Sequence, residues 1–384
     1  MAVKWGTSVK IKVAILALSV VWASQATASS FDALYVFGDS TVDSGWWKGA
    51  LNGQCGPVSG SCTTGSAGKD GLISNAIAHG GTGAPVGVGL MNTQILATDL
   101  GISNFLPANQ PGGTNYAISG ALTAISSYPG GNTTGNLNVN PNLPSTVQQM
   151  SNYLGPVLNT ADPNALYLIS SGGNDITYAK DQASWNLSQK ESYLTTQAAA
   201  LAAEIATLQT DGAKHIVVYG NGGNGTLGTF WTGQLFTDLT SLSVNFIGAD
   251  IAGMVAEVQA NPTAYGFTAA TVVPGTVGGT NSACATQTGA GATTSGWGQW
   301  CANTTTASTL YASLTSANAE QTSFYSDNQH FSAAGQLIEA DYVFGLIQAS
   351  EAPLPATLPL FASGLGALGL LGWRRKKTAA TISA

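Results

Sequence analysis

The sequence predicts a three-layer α/β/α fold, with helices on both faces of a mainly parallel five-stranded sheet joined by long loops. Three observations predict it. Short apolar runs end in Gly, Ser or Asn; longer stretches of helical periodicity alternate with them; and only 8% of residues are charged against 44% hydrophobic. Strands that are apolar on both faces belong to a sheet covered on both sides, and the alternation with helices makes that sheet parallel. Low charge with abundant apolar residues is the opposite of the disordered signature. The 48 glycines follow no three-residue period, which excludes collagen.

Taken in order, the chain opens with Lys4, Lys10 and Lys12, then the apolar run Val13–Ala23, then Ala26-Thr27-Ala28. A basic start, a short apolar core and small residues at a cleavage point predict a secretory signal peptide over residues 1–28. An apolar run of this length falls short of the roughly 20 residues that cross a bilayer. The body, residues 29–350, carries the strand candidates Ala33–Phe37, Asn115–Ile118, Ala165–Ser170 and His215–Tyr219, and a fifth at Ala269–Val273. Leu187–Leu208 and Ser332–Ile347 have helical periodicity, and apolar residues at i, i+3 and i+4 predict one long helix from Phe236 to Val258, closed by Asn261-Pro262. Gly45–Gly113 and Pro274–Thr306 are rich in Gly, Ser, Thr and Asn and are expected to be long loops, each holding one cysteine pair. Residues 351–384 form a tail, with Pro353-Leu354-Pro355, an apolar stretch Leu358–Trp373, and Arg374-Arg375-Lys376-Lys377.

Charge divides the chain the same way. Between the two basic ends, from Asp32 to Glu351, five lysines stand against nineteen acids, a balance of −14, with no arginine. A nucleic-acid partner, which requires a basic face, is excluded. Cys55 and Cys62 lie seven apart, Cys284 and Cys301 seventeen apart. In an oxidising compartment two local disulfides are expected, although three connectivities are open; neither pair has the close spacing usual in a zinc site. No metal and no cofactor is called for.

The chain has three histidines. His215 opens a strand candidate at its amino end, away from the carboxyl ends where active sites of parallel sheets gather, and is expected to be structural. His79 lies in a glycine-rich loop with no neighbouring acid. Asp327 precedes His330 by three residues, just ahead of a helix, so its carboxylate can hold Nδ1–H and leave the other ring nitrogen free as a base. At the carboxyl end of the first strand stands Gly38-Asp39-Ser40. Ser119-Gly120-Ala121 and Gly172-Gly173-Asn174-Asp175 end two further strands, where backbone N–H groups and an asparagine amide could receive an oxyanion. Gly220-Asn221-Gly222-Gly223-Asn224-Gly225 matches a dinucleotide-binding turn, but it follows the fourth strand, and no second strand ends in an acid about twenty residues on.

Gly38-Asp39-Ser40, Gly120, Gly172-x-Asn174-Asp175 and Asp327-x-x-His330, in this order, resemble the four blocks of the GDSL, or SGNH, hydrolases. Gly71–Asn75, Asn245 within the long helix, Asn261-Pro262 and Tyr265-Gly266-Phe267 are similar to the lipolytic branch. The resemblance implies the flavodoxin-like SGNH fold and an esterase or lipase. Ser40 would be the nucleophile, His330 the base and Asp327 its orienting carboxylate, with Ser40, Gly120 and Asn174 as oxyanion donors. The substrate would be a lipid, a small acyl ester or an acetylated glycan. Acyl transfer or polysaccharide O-deacetylation at the same site are alternatives. So is a silent scaffold that binds carbohydrate through the exposed-looking Trp46, Trp47, Trp297 and Trp300, although packing of these tryptophans in the loops beside the disulfides is the favoured reading. The tail resembles the PEP-CTERM sorting signals of Gram-negative bacteria, with Leu354 where glutamate is usual. That implies export, membrane contact through the tail, a sorting peptidase as partner, and a final place at the cell surface or extracellular matrix; a plain anchor is the alternative.

Overall fold

The computed structural model describes residues 31–51, 67–126, 143–221, 225–274, 281–284 and 297–351. The signal segment 1–28, the tail beyond residue 351, the Cys55/Cys62 pair and the centre of the glycine turn at 222–224 lie outside the described residues.

Four strands form one parallel sheet in the order β1 (Leu34–Gly38), β2 (Leu166–Ser170), β3 (His215–Tyr219) and β4 (Ile247–Ala249). Leu34 pairs with Leu166 and Leu166 with His215, so the strands start level and end together at Gly38, Ser170 and Tyr219. Side chains alternate across the sheet. Phe37, Tyr167, Ile169, Ile216 and Val218 enter one core with the buried sides of α4 (Thr146–Leu154), α6 (Leu187–Thr210) and α7 (Gly225–Ser241). Leu34, Val36, Leu166, Leu168 and Val217 enter the other, against α3 (Asn92–Asp99), α8 (Ile251–Ala260) and α10 (Ala333–Glu351). Three further α-helices are α1 (Trp46–Leu51), α2 (Ala67–Ala78) and α5 (Gly173–Asp181), with a single turn, α9 (Ala319–Thr322), and two short 3-10 turns at Pro262–Tyr265 and Gly298–Trp300.

Local signals account for the ends of several helices. Asn186 accepts from Gln189 N at 3.0 Å while Gln189 Oε1 accepts from Asn186 N at 2.9 Å, a reciprocal cap on α6. Ser145 caps α4 through Gln148 N, and Asp250 caps α8 through Gly253 N. No helix among the described residues is long and apolar enough to cross a membrane.

The three-layer parallel architecture is as expected, with corrections. The sheet has four strands rather than five. Ala269–Val273 forms turns and bends, with Thr271 N donating to Thr268 O. Asn115–Ile118 runs beside β1, with Tyr116 N on Val36 O and Ile118 N on Gly38 O, but makes only an isolated bridge to it, as Asn115 N bonds to Leu106 O and Ala117 N to the Asn115 side chain. The expected helix from Phe236 to Val258 is two helices with β4 between them. Ser243 adopts φ 57, ending α7, and the chain then crosses to the opposite face. Asn245 therefore lies in that connection, outside a helix. The expected loop Gly45–Gly113 contains α1, α2 and α3.

Candidate active site

The carboxyl end of β1 turns sharply because Gly38 has φ +151, and a Cβ there would stand 1.9 Å from Ser170 O. Only glycine can pass so close to the neighbouring strand. Gln149 on α4 grips the turn from below, accepting from Gly38 N at 2.8 Å and donating to Gly38 O at 3.0 Å. Asp39 N donates to Ser170 O, and the buried Asp39 carboxylate accepts from Thr41 N at 3.0 Å. Ser40 is thereby held over the ends of the strands.

The loop Asp327–His330 reaches Ser40 from the far end of the sequence. His330 Nε2 lies 2.8 Å from Ser40 Oγ, and His330 Nδ1 lies 2.7 Å from Asp327 Oδ2. Each oxygen of the buried Asp327 has two donors. Oδ2 accepts also from Gly298 N at 3.0 Å, and Oδ1 from Gln329 N and His330 N at 2.9 and 2.8 Å. Burial works against a charge on His330. The facing Asp327, its hydrogen bond, and more distant Asp39 and Asp43 outweigh burial and raise the imidazole above its ordinary value. The half-buried Trp297 ring lies 5.6 Å from the His330 ring.

Two buried carboxylates hold the loops that carry the expected oxyanion donors. Asp43 accepts from Gly45 N and Trp46 N on one oxygen, and from Ser119 N and Ser119 Oγ, at 2.8 and 2.6 Å, on the other. That bond fixes the turn at Gly120, where φ is +93. Asp175 accepts from Thr123 N, Thr123 Oγ1 and Tyr193 Oη. Burial pushes its carboxyl up to about 6 despite these donors. Asn174 Nδ2 donates to Ala121 O at 2.9 Å, tying the two loops together and leaving its second amide hydrogen for a ligand. A cleft of about 230 Å³ opens here, lined by Ser40, Asn174 and His330 and, deeper, by Tyr219, Val255 and Glu339; Gly120 is not part of its lining.

The remaining expected residues fall elsewhere. His215 is at the amino end of β3, 3.1 Å from Glu351, and His79 is exposed with Nδ1 on Asn75 O and its ring against Tyr311. Cys284 and Cys301 form a disulfide. Trp46, Trp47 and Trp300 are buried, as loop packing rather than a binding platform requires: they fill a cluster with Ile73 and Ile118 beneath the loops. Sequence reasoning missed the roles of Asp43, Gln149, Glu320 and Glu339. Gln149 and Glu339 did carry a signal, since each is a polar residue on the buried side of its helix, where an unpartnered group is costly.

The arrangement is a hydroxyl, an imidazole and a carboxylate in series, with the Asn174 amide lining the same cleft, which is the equipment for nucleophilic attack on a carbonyl. Comparison with known proteins places the chain as a whole, rather than these residues, in a family. Lipase 1 of Photorhabdus luminescens is 30% identical over 204 residues, covering 53% of this chain and 24% of that protein, so the chain spans about a quarter of its relative's length. The profile of GDSL-like Lipase/Acylhydrolase matches residues 34–343, from β1 through most of α10 and across every residue of the cleft named above. The chain belongs to the GDSL-like lipase/acylhydrolase family, whose members hydrolyse esters.

Proposed function

We propose that the protein is an exported serine esterase that hydrolyses carboxylic esters through an acyl-enzyme. The observation that carries this reading is the unbroken series Ser40 Oγ, His330 Nε2, His330 Nδ1 and Asp327 Oδ2, at 2.8 and 2.7 Å, inside a family of acylhydrolases. His330 takes the Ser40 proton as Oγ attacks the ester carbonyl. The Ser40 and Gly120 N–H groups and the Asn174 amide receive the oxyanion. His330 then protonates the leaving alcohol, and in the second half-reaction it activates the water that releases the acid. The basic, apolar and small-residue order of residues 1–28 supports export, and the Pro-x-Pro, apolar and basic order after residue 351 supports retention and processing by a sorting peptidase at the surface of a Gram-negative cell. The test is hydrolysis of short and medium p-nitrophenyl esters by the purified chain. Wild type turns over and Ser40→Ala does not; equal rates would remove the assignment.

A further inference from the structure

The acid–base loop is braced from behind by groups that the proposed reaction does not use. We infer that the Cys284–Cys301 disulfide and Glu320 are a positioning clamp for Asp327 and His330, so that full turnover requires the disulfide to be intact. This rests on the esterase reading for its activity assay but not for its structural one.

Two arms meet at the disulfide. On one, Cys284 N donates to Ser326 O at 2.8 Å and Ala283 N to Tyr325 O at 2.9 Å, so the segment carrying Cys284 is bonded to the strand-like stretch directly before Asp327. On the other, Gly298 N donates to Asp327 Oδ2 at 3.0 Å while Cys301 N donates to Gly298 O at 3.0 Å, so the turn carrying Cys301 supplies one of the four donors on the carboxylate. A Cβ at Gly298 would stand 1.6 Å from Pro85 O, so the turn is pressed against its surroundings as closely as backbone allows. The disulfide joins these arms and closes a ring of bonds around Asp327. Glu320, fully buried, spans both ends of the same loop: Oε1 accepts from Ser326 Oγ at 2.9 Å and from Gly87 N at 3.1 Å, and Oε2 accepts from Ala333 N at 2.8 Å. Cys284 Sγ lies 3.7 Å from Glu320 Oε1 and 3.4 Å from Ser326 Oγ, and Ser326 N donates to His330 O at 2.8 Å. Residues 326–333 are thus held at entry, exit and middle by groups anchored on the disulfide and Glu320.

Opening the clamp takes two electrons and two protons. A dithiol supplies them, closing to its own disulfide as Cys284 and Cys301 become thiols. With the disulfide open, the turn carrying Gly298 keeps its backbone bonds to Ala312 and His79 but loses its covalent tie to the arm bonded to Tyr325 and Ser326, and the aim of the Gly298 N–H at Asp327 loosens. Misplacement of this kind costs catalysis about 10- to 100-fold, because the reacting groups must be held to within an ångström.

The experiment compares wild type with Cys284→Ser/Cys301→Ser by three readouts: kcat and KM on p-nitrophenyl butyrate, the cooperativity of thermal unfolding, and the low-field proton resonance of His330 Nδ1–H bonded to Asp327. A folded variant is expected to lose about 10- to 100-fold in kcat with KM little changed, and to lose or broaden the low-field resonance. Unchanged kcat together with an unchanged resonance overturns the inference. If the variant does not fold, Cys55→Ser/Cys62→Ser protein, in which Cys284 and Cys301 are the only cysteines left, is reduced with dithiothreitol while thiol release is followed. Activity that falls in step with thiol release supports the clamp, and activity retained after both thiols are free overturns it. If even the oxidised protein cleaves no ester, the esterase reading fails, while the resonance alone still decides the clamp.

Discussion

Replacing Asp327 by Asn exchanges one carboxylate oxygen for an NH2 group and leaves the shape of the loop, so its effect can be worked from the bonds around the carboxylate. All four contacts on Asp327 are donors: His330 Nδ1 and Gly298 N on Oδ2, Gln329 N and His330 N on Oδ1. An asparagine can accept on one side only; its NH2 must face two other donors on the opposite side. If the amide oxygen stays with the backbone pair, His330 and Gly298 lose a charged acceptor. Hydrogen bonds to charged groups contribute about 1.5–3 kcal/mol each, so about 3–6 kcal/mol of orientation and imidazolium stabilisation is removed. At about 1.4 kcal/mol per factor of ten, kcat/KM on p-nitrophenyl butyrate is expected to fall about 100- to 10,000-fold. The pH profile adds a second reading. His330 acts as a base only when neutral, so activity in wild type rises with pH through a midpoint raised above 6.5, the ordinary imidazole value. In Asp327→Asn the two strongest raising influences are gone and burial remains, so any residual activity has its midpoint at lower pH. A fall of less than tenfold, with the acid limb unmoved, would refute the assignment of Asp327 as the group that orients and charges His330.

Three further outcomes are expected. Asn174→Ala should lower kcat about 100- to 1,000-fold with little change in KM, the mark of a donor that acts on the developing oxyanion; an effect on KM alone would place Asn174 in substrate binding instead. Burial pushes Glu320 up to about 7 and Glu339 up to about 8, values above those of the unfolded chain, so their contribution to stability is complete at acid pH and is lost as pH rises through those values. Glu339→Gln keeps the shape and removes the proton linkage, so its melting temperature should fall less than that of wild type between pH 6 and about 9; parallel curves would contradict the burial argument. Gly38→Ala would put a methyl 1.9 Å from Ser170 O at a positive φ, and urea unfolding should show a loss of about 3 kcal/mol or more.

The parts of the site that were legible are those whose chemistry is local. Asp327 and His330 are three residues apart, a spacing that lets the carboxylate reach the ring within one short loop. Ser40 and Asn174 follow strands whose ends align because parallel pairing sets Gly38 level with Ser170. The break in the expected helix was not legible for a definite reason. Leu235 and Leu239 of α7 face the core with Val244 and Phe246, whereas Met254, Val255 and Val258 of α8 face the opposite core, so two independent apolar stripes happened to keep one period across β4. The tryptophans left two readings open because their glycine-rich surroundings resemble an open loop; the structure packs Trp46 and Trp47 edge to face at 4.8 Å beneath it.

By itself the sequence determined the layered parallel architecture, through apolar runs that must be covered on both faces, and the candidate nucleophile, base and acid, through short motifs at strand and helix ends. Only the tertiary structure decided what holds them. Gln149 grips Gly38 from 111 residues away, Asp43 fixes the Gly120 turn from 76, and Gly298 reaches Asp327 from 29. Each of these is a buried polar group whose desolvation is offset by one particular partner, and no periodicity or spacing in the chain records which distant donor that partner will be.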